Sequence, residues 1–226
     1  MGIINVTPDS FSDGGDNFSV DKALRKVTDF VSSGVDIVDL GAQSTRPGAV
    51  EISPQEEISR LIPPLDAIRK QFPDLLISID TFNSDVALAA LEHGADWVND
   101  VTGGRRDDEL INVVSRFECP YVLTHSRGNS QTMNSLNIYD DLLKEIIESL
   151  QESTNYALEK KVSRDKIIWD PGIGFSKDTI QNIEVLKSLN QLKEFGFPIL
   201  IGASRKRFIG DILNEKDPKE RDVGTL

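Results

Sequence analysis

Met1-Gly2-Ile3-Ile4-Asn5-Val6-Thr7-Pro8-Asp9-Ser10-Phe11-Ser12-Asp13-Gly14-Gly15 opens the chain. Four residues of short apolar strand run into Asn5, and the chain then turns polar and glycine-bearing at once. A loop of this kind leaving the C-terminal end of a strand is where α/β enzymes carry their chemistry. Read alone, the loop is equally a polar turn that caps the next helix. The strands that follow decide between the two.

The same grammar repeats along the chain. Strands are expected at Met1–Val6, Val35–Leu40, Leu75–Asp80, Trp97–Val101, Tyr121–Thr124, Lys166–Asp170 and Pro198–Gly202. Most are continuous apolar runs, the mark of parallel strands covered on both faces. Helical patterns lie between them. Lys22 to Val31 carries an apolar stripe and is followed by Gly34 as a helix stop. Ser53-Pro54-Gln55-Glu56 reads as a capping box with proline at the first helical position. Pro63-Pro64 should kink or split that helix. Asp85–His93, Glu109–Phe117, Tyr139–Lys161, Thr179–Leu189 and Lys206–Leu213 complete the set.

Polar residues punctuate one end of these strands: Asn5, Asp39, Asp80, Asn99-Asp100, His125, Asp170 and Ser204-Arg205-Lys206. One carboxylate at a strand end is usually structural. Several at successive strand ends are costly unless they converge on a ligand. Seven strands with polar residues at one end predict a TIM-type (β/α)8 barrel over residues 1–226, lacking its last strand and helix. An open doubly wound sheet is the competing architecture, but no strand is followed by a Gly-x-Gly-x-x-Gly turn.

Bulk properties set limits. The chain has 226 residues, 38% hydrophobic and 27% charged, which suits a single soluble domain. A net charge of −12 argues against nucleic acid as a partner. No run of about 18 apolar residues offers a membrane span, and no signal segment precedes the first strand. A single cysteine, Cys119, suits a reducing compartment.

The motifs Asn5–Gly15, Asp39-Leu-Gly-Ala-Gln-Ser-Thr-Arg-Pro-Gly48, Ser78-Ile-Asp-Thr81, Asn99-Asp-Val-Thr-Gly103, Asp170-Pro-Gly-Ile-Gly-Phe175 and Ser204-Arg-Lys206 resemble those of the dihydropteroate synthases, in order and along the whole chain. The resemblance implies a (β/α)8 barrel. It implies condensation of 4-aminobenzoate with 6-hydroxymethyl-7,8-dihydropterin diphosphate, giving 7,8-dihydropteroate and diphosphate. Asp170 would take the 2-amino and ring N–H edge of the pterin, since a carboxylate accepts two parallel bonds. Asn99 would donate and accept, Asp80 would take the reduced ring's N–H, and Lys206 would donate to the carbonyl edge. Asp80, Lys206 and Arg46 are the expected catalytic set. Asn5 is the implied Mg²⁺-linked residue, with Thr45 and Arg46 on the diphosphate. Phe175 would stack on the aminobenzoate, Phe11 and Pro47 would close over it, and Ser204 or Arg207 would meet its carboxylate.

Three departures stand out. An Arg-x-His pair of the family's final strand has no counterpart before Leu226. Arg207 stands where serine is common. Thr124-His-Ser-Arg-Gly128 lacks the methionines many members place against the pterin. The first leads to the expectation that the chain alone exposes open strand edges, aggregates and turns over little. The resemblance also implies an intracellular setting, cytoplasmic, or mitochondrial if the chain belongs to a multifunctional folate-pathway polypeptide. Homodimers are common in the family, and Tyr139–Lys161 is the long charged segment that could meet a partner. The rival readings are a pterin-binding methyltransferase-type barrel and a non-catalytic pterin-binding fragment.

Overall fold

The computed structural model describes residues 1–6, 16–44 and 48–225, and for residues 16–19 and 134 the backbone alone. Six parallel strands pair in chain order: β1 (Gly2–Asn5), β2 (Ile37–Gly41), β3 (Leu76–Asp80), β4 (Trp97–Asp100), β5 (Tyr121–Thr124) and β6 (Ile167–Asp170). Helices separate them: α1 (Asp16–Ser32), α2 (Pro54–Gln71), α3 (Ser84–Glu92), α4 (Asp108–Phe117) and α5 (Leu142–Glu159). Then follow α6 (Thr179–Lys187), α7 (Leu189–Lys193), α8 (Arg207–Leu213) and α9 (Asp222–Thr225). Sequential parallel pairing with a helix at each crossover is barrel winding, so the doubly wound alternative fails.

The expected seventh strand, Pro198–Gly202, shrinks to one bridge between Trp169 and Ile199. Trp169 N donates to Pro198 O at 2.9 Å and Leu200 N to Trp169 O at 2.8 Å. That edge is paired, but among the described residues no strand pairs with its far edge, and a one-sided strand is short of ladder bonds.

Three helix expectations also change. Tyr139–Lys161 shortens to α5, because Asp141 caps it by accepting Lys144 N at 3.1 Å. The capping box at Ser53 is half made. Ser53 Oγ accepts Glu56 N at 3.2 Å, while the Glu56 carboxylate turns to Arg60. And α2 runs unbroken through Pro63-Pro64. The carbonyls left without donors belong to Ser59 and Arg60, and Ser59 is exposed, so water serves that flank.

The outward faces of the strands make two apolar clusters. Val38, Leu40, Ile77 and Ile79 pack with Ile4, Leu61, Leu65 and Ile68 around β1–β3. Val98, Tyr121, Leu123, Ile167 and Trp169 pack with Leu110, Ile146 and Leu150 around β4–β6. Trp169 stacks on Phe197 at 4.8 Å, and its indole N–H donates to Thr154 Oγ1 at 2.8 Å. Helix α3 serves both clusters: Val86 and Ala90 belong to the first, Ala87 and Leu91 to the second.

Candidate active site

Strand periodicity sorts the polar residues. If Val38, Leu40, Ile77, Ile79 and Val98 face the helices, then Asp39, Gly41, Ser78, Asp80 and Asn99 face the barrel interior. The register lines them up across strands: Asn5 beside Gly41, Asp39 beside Ser78, Asp80 beside Asn99, Thr124 beside Asp170. Asn99 Nδ2 donates to Asp39 Oδ2 at 3.2 Å. Gly41 is where Asp80 needs room: a Cβ there would sit 3.2 Å from both Asp80 Cβ and Oδ2.

This interior holds polar atoms without partners. Among the described residues, the carboxylate oxygens Asp39 Oδ1 and Asp80 Oδ1 and the hydroxyls of Ser78 and Thr124 are enclosed and unpaired. Burial raises the pKa of Asp39. It raises that of Asp80 well above the usual carboxylate range, helped by the charges of Asp39, Glu57 and Asp100 and opposed by Lys206. Such acceptors are costly to leave unpaired unless something with N–H groups docks among them. Asp100, one residue from Asn99 but on the outer face, is the contrast. It accepts Thr102 N, Thr102 Oγ1, Gly104 N and Tyr121 Oη at 2.6–2.8 Å, so it is a structural carboxylate.

The opposite wall comes from the loop after β6. Asp170 Oδ1 accepts Gly172 N at 2.7 Å, and His125 N donates to Asp170 O at 2.8 Å. Burial raises the Asp170 pKa, while Lys206 and Lys177 lower it. Lys206 donates from Nζ to Ile173 O, and its ammonium lies 4.8 Å from the Phe175 ring centroid. Burial lowers its pKa, and the nearby charges of Asp170 and Asp80 oppose that shift.

The expected residues therefore divide. Asn5, Asp80, Asn99, Asp170, Lys206 and Phe175 sit at one rim, at or just past strand ends. Ser204 and Arg207 are exposed, and Arg207 Nε lies 3.8 Å from Asp211 one turn along α8. Phe11, Thr45, Arg46 and Pro47 lie outside the described residues. Missed at first reading were Asp39, Ser78 and Thr124 as interior-facing members of the same cluster. Their period-two spacing from Gly41, Asp80 and Val122 was the available signal.

Beside the cluster lies a rim cavity of about 400 Å³, lined in part by Ser44, Phe82, Arg106, Ser126, Arg127 and Phe175. Of the described expected residues only Phe175 lines it; the carboxylates belong to the barrel interior, where the chemical signal is stronger. Two of its three arginines are ion-paired, Arg106 with Glu51 and Arg127 with Glu145, while Arg105 donates to Ser149 Oγ and Ser126 O. The loop after β2 is tied across this cavity, since Gly48 N donates to Ser130 O at 2.9 Å and Ser130 Oγ to Ala49 O at 3.0 Å. Among the described residues no helix is long and apolar enough to cross a membrane.

Comparison with known proteins agrees with this fold. The family model for pterin binding enzymes matches residues 1–226. A dihydropteroate synthase of Synechocystis sp. is 47% identical over 225 residues, spanning 100% of this chain and 78% of that protein. A folate synthesis bifunctional protein of Arabidopsis thaliana is 46% identical, and this chain spans 49% of its length. Among solved structures, a dihydropteroate synthase from Clostridium difficile determined with pteroic acid superposes with a TM-score of 0.93 at 43% identity, covering 100% of this chain and 82% of that one. The Xanthomonas albilineans enzyme with 4-aminobenzoic acid superposes with a TM-score of 0.92 at 38% identity, covering 99% and 79%.

Proposed function

This chain belongs to the family of pterin-binding enzymes, and from that membership we propose that it joins 4-aminobenzoate to 6-hydroxymethyl-7,8-dihydropterin diphosphate, releasing diphosphate. One observation supports the reading most: an interior with unpartnered carboxylate oxygens on Asp39 and Asp80 and unpartnered hydroxyls on Ser78 and Thr124, faced by Asp170 and Lys206. A flat heterocycle with an amide, an amine and ring N–H groups offers donors to the carboxylates and both donors and acceptors to the hydroxyls. In this reading Asp170 takes the amine edge, Asn99 bonds the ring, and Lys206 gives the ring carbonyl a donor.

The C–O bond breaks first, and diphosphate leaves with its electron pair. The exocyclic methylene becomes a cation delocalised into the dihydropterin. Asp80 stabilises it by charge from within the barrel. The amine nitrogen of 4-aminobenzoate then forms the C–N bond and sheds a proton to water. No protein nucleophile takes part; buried Cys119, with its pKa pushed up to about 11, is unsuited to the role. Phe175 offers a face for the arene. Thr45 and Arg46 are assigned to the diphosphate, Phe11 and Pro47 to closure over the arene, and Ser204 or Arg207 to its carboxylate.

Asn5 at the end of β1 offers a neutral side-chain oxygen, a donor type that suits a hard cation held by few protein ligands. Asn5 would hold Mg²⁺ there, and the ion would neutralise the leaving diphosphate. A homodimer in the cytoplasm or mitochondrion completes the proposal; relatives include mitochondrial bifunctional proteins.

The test is turnover by the purified protein with both substrates, following diphosphate and 7,8-dihydropteroate together. Equal amounts of both products support the reading. Pterin binding without diphosphate release in the presence of Mg²⁺ and 4-aminobenzoate would overturn it.

A further inference from the structure

Lys177 is a buried cation that the reaction does not use. Its Nζ lies 2.9 Å from His125 Nδ1, 3.0 Å from Gly172 O and 3.1 Å from Phe175 O. An ammonium has three N–H groups, and here three acceptors meet them. His125 is 1% exposed at the end of β5. The loop closes tightly on it: a Cβ on Gly172, whose φ is +72°, would fall 1.9 Å from His125 O. Lys206 meanwhile holds Ile173 O from the other side. The carbonyls of residues 172, 173 and 175 are thus each gripped by a lysine.

We propose that Lys177, seated on His125, is a positioning residue that fixes the Phe175 ring at the barrel mouth relative to Asp170. The proposal rests on the functional reading above for what the ring receives. The two ends of the loop differ in how they depend on Lys177. Asp170 is anchored by β6 pairing and by His125 N, so it keeps its place without the lysine. Phe175 is held by one local turn bond, Phe175 N to Gly172 O at 3.0 Å, by Lys177 on its own carbonyl and by Lys206 at 4.8 Å from its ring centroid, while Ser176 beside it is bonded to Arg127 and Tyr139. Of these, Lys177 alone ties the Phe175 carbonyl to both Gly172 and His125, so its loss should loosen the aryl platform and spare the pterin edge.

The charges facing Lys177 are Asp170, which favours its protonation, and Lys206 and Arg127, which oppose it. Burial is the largest influence and pushes its pKa down to about 7. His125, driven down to about 2 mainly by burial, stays neutral and accepts at Nδ1, which places its proton on Nε2. Above pH 7 the lysine loses a donor and one of its three bonds.

Two measurements test this. In histidine ¹⁵N NMR of the wild-type protein, His125 should be the neutral Nε2–H tautomer between pH 6 and pH 5, where Lys177 is the ammonium that donates to Nδ1. An Nδ1–H tautomer in that window would overturn the proposal whatever the enzyme's substrate. In steady-state kinetics, Lys177→Met should raise KM for 4-aminobenzoate about 10-fold, with KM for the pterin diphosphate and kcat within about threefold. Lys177→Gln, which keeps two donors, should recover part of that loss and flatten the rise of wild-type aryl-amine KM above pH 7. An aryl-amine KM within twofold of wild type in Lys177→Met, or equal changes in both KM values, would sink it. If Lys177→Met does not fold, the Gln variant and the tautomer decide. If the wild type makes no dihydropteroate, the functional reading fails, and the tautomer alone judges the lysine–histidine couple.

Discussion

Asp80→Asn separates charge from shape. Asparagine has the same outline and one carbonyl oxygen, so the ring contact survives while the charge goes. A unit charge about 4 Å from a developing cation, at an effective dielectric constant of about 20, contributes about 4 kcal/mol. The lost charge is replaced in part by the amide dipole, so the fall in kcat should be about 10²–10³, as for removal of one preorganised stabiliser. The free protein should respond in the opposite sense. Asp80 Oδ1 has no partner and its pKa is raised by burial and by Asp39, Glu57 and Asp100, so its ionised form is a cost to the empty barrel. Removing it should leave the melting temperature unchanged or higher. Rapid-quench turnover with saturating substrates, beside thermal unfolding of the same preparation, reads both. A kcat within threefold of wild type with weakened pterin binding would refute the reasoning and reduce Asp80 to a ring holder.

Gly41→Ala puts a methyl 3.2 Å from Asp80 Oδ2; kcat should fall about 10-fold, since a small misplacement of a charged group is expensive in rate, while circular dichroism shows a melting point within a few degrees of wild type. Gly172→Ala meets both a positive φ and a 1.9 Å approach to His125 O, so urea unfolding should show a loss of about 3 kcal/mol together with loss of aryl-amine binding. His125 is neutral in the fold, with a pKa near 2 against about 6.5 unfolded. The unfolded chain binds the proton that the fold refuses, so this stability is present above pH 6.5 and drains as pH falls toward 2, at up to about 1.4 kcal/mol per pH unit. Denaturant titrations from pH 7 to 4.5 should show a shallower acid loss in His125→Asn than in wild type.

Much of this was legible in the residues. Buried parallel strands are apolar on both faces of the pleat, so β1 to β6 stood out as short runs such as Tyr121–Thr124, whose bounds needed no change. Asp80, Asn99, Asp170 and Lys206 were legible because each follows such a run. Asp39 and Thr124 were seen but not assigned, because facing is a tertiary property: Asp39 and Asp100 look alike in the sequence, yet one opens into the barrel and the other is saturated by Thr102, Gly104 and Tyr121. Lys177 was invisible for the same reason, since its acceptors come from two strand ends separated by about a helix and loop. The proline pair in α2 misled because the carbonyl freed by Pro63 belongs to exposed Ser59, while Pro64 packs its ring into the buried face of the helix.

The boundary between the two apolar clusters runs between β3 and β4. Asp80 and Asn99 face each other across that same boundary. The two residues proposed to bond the pterin thus lie on the line where the two halves are joined by strand hydrogen bonds and by α3 rather than by one continuous apolar mass. Small shear between the halves would change the Asp80–Asn99 spacing before it cost either half its packing. Warming would therefore blunt recognition ahead of melting. A ring bonded to both residues would act as a rivet, binding two semi-independent blocks into one cooperative body.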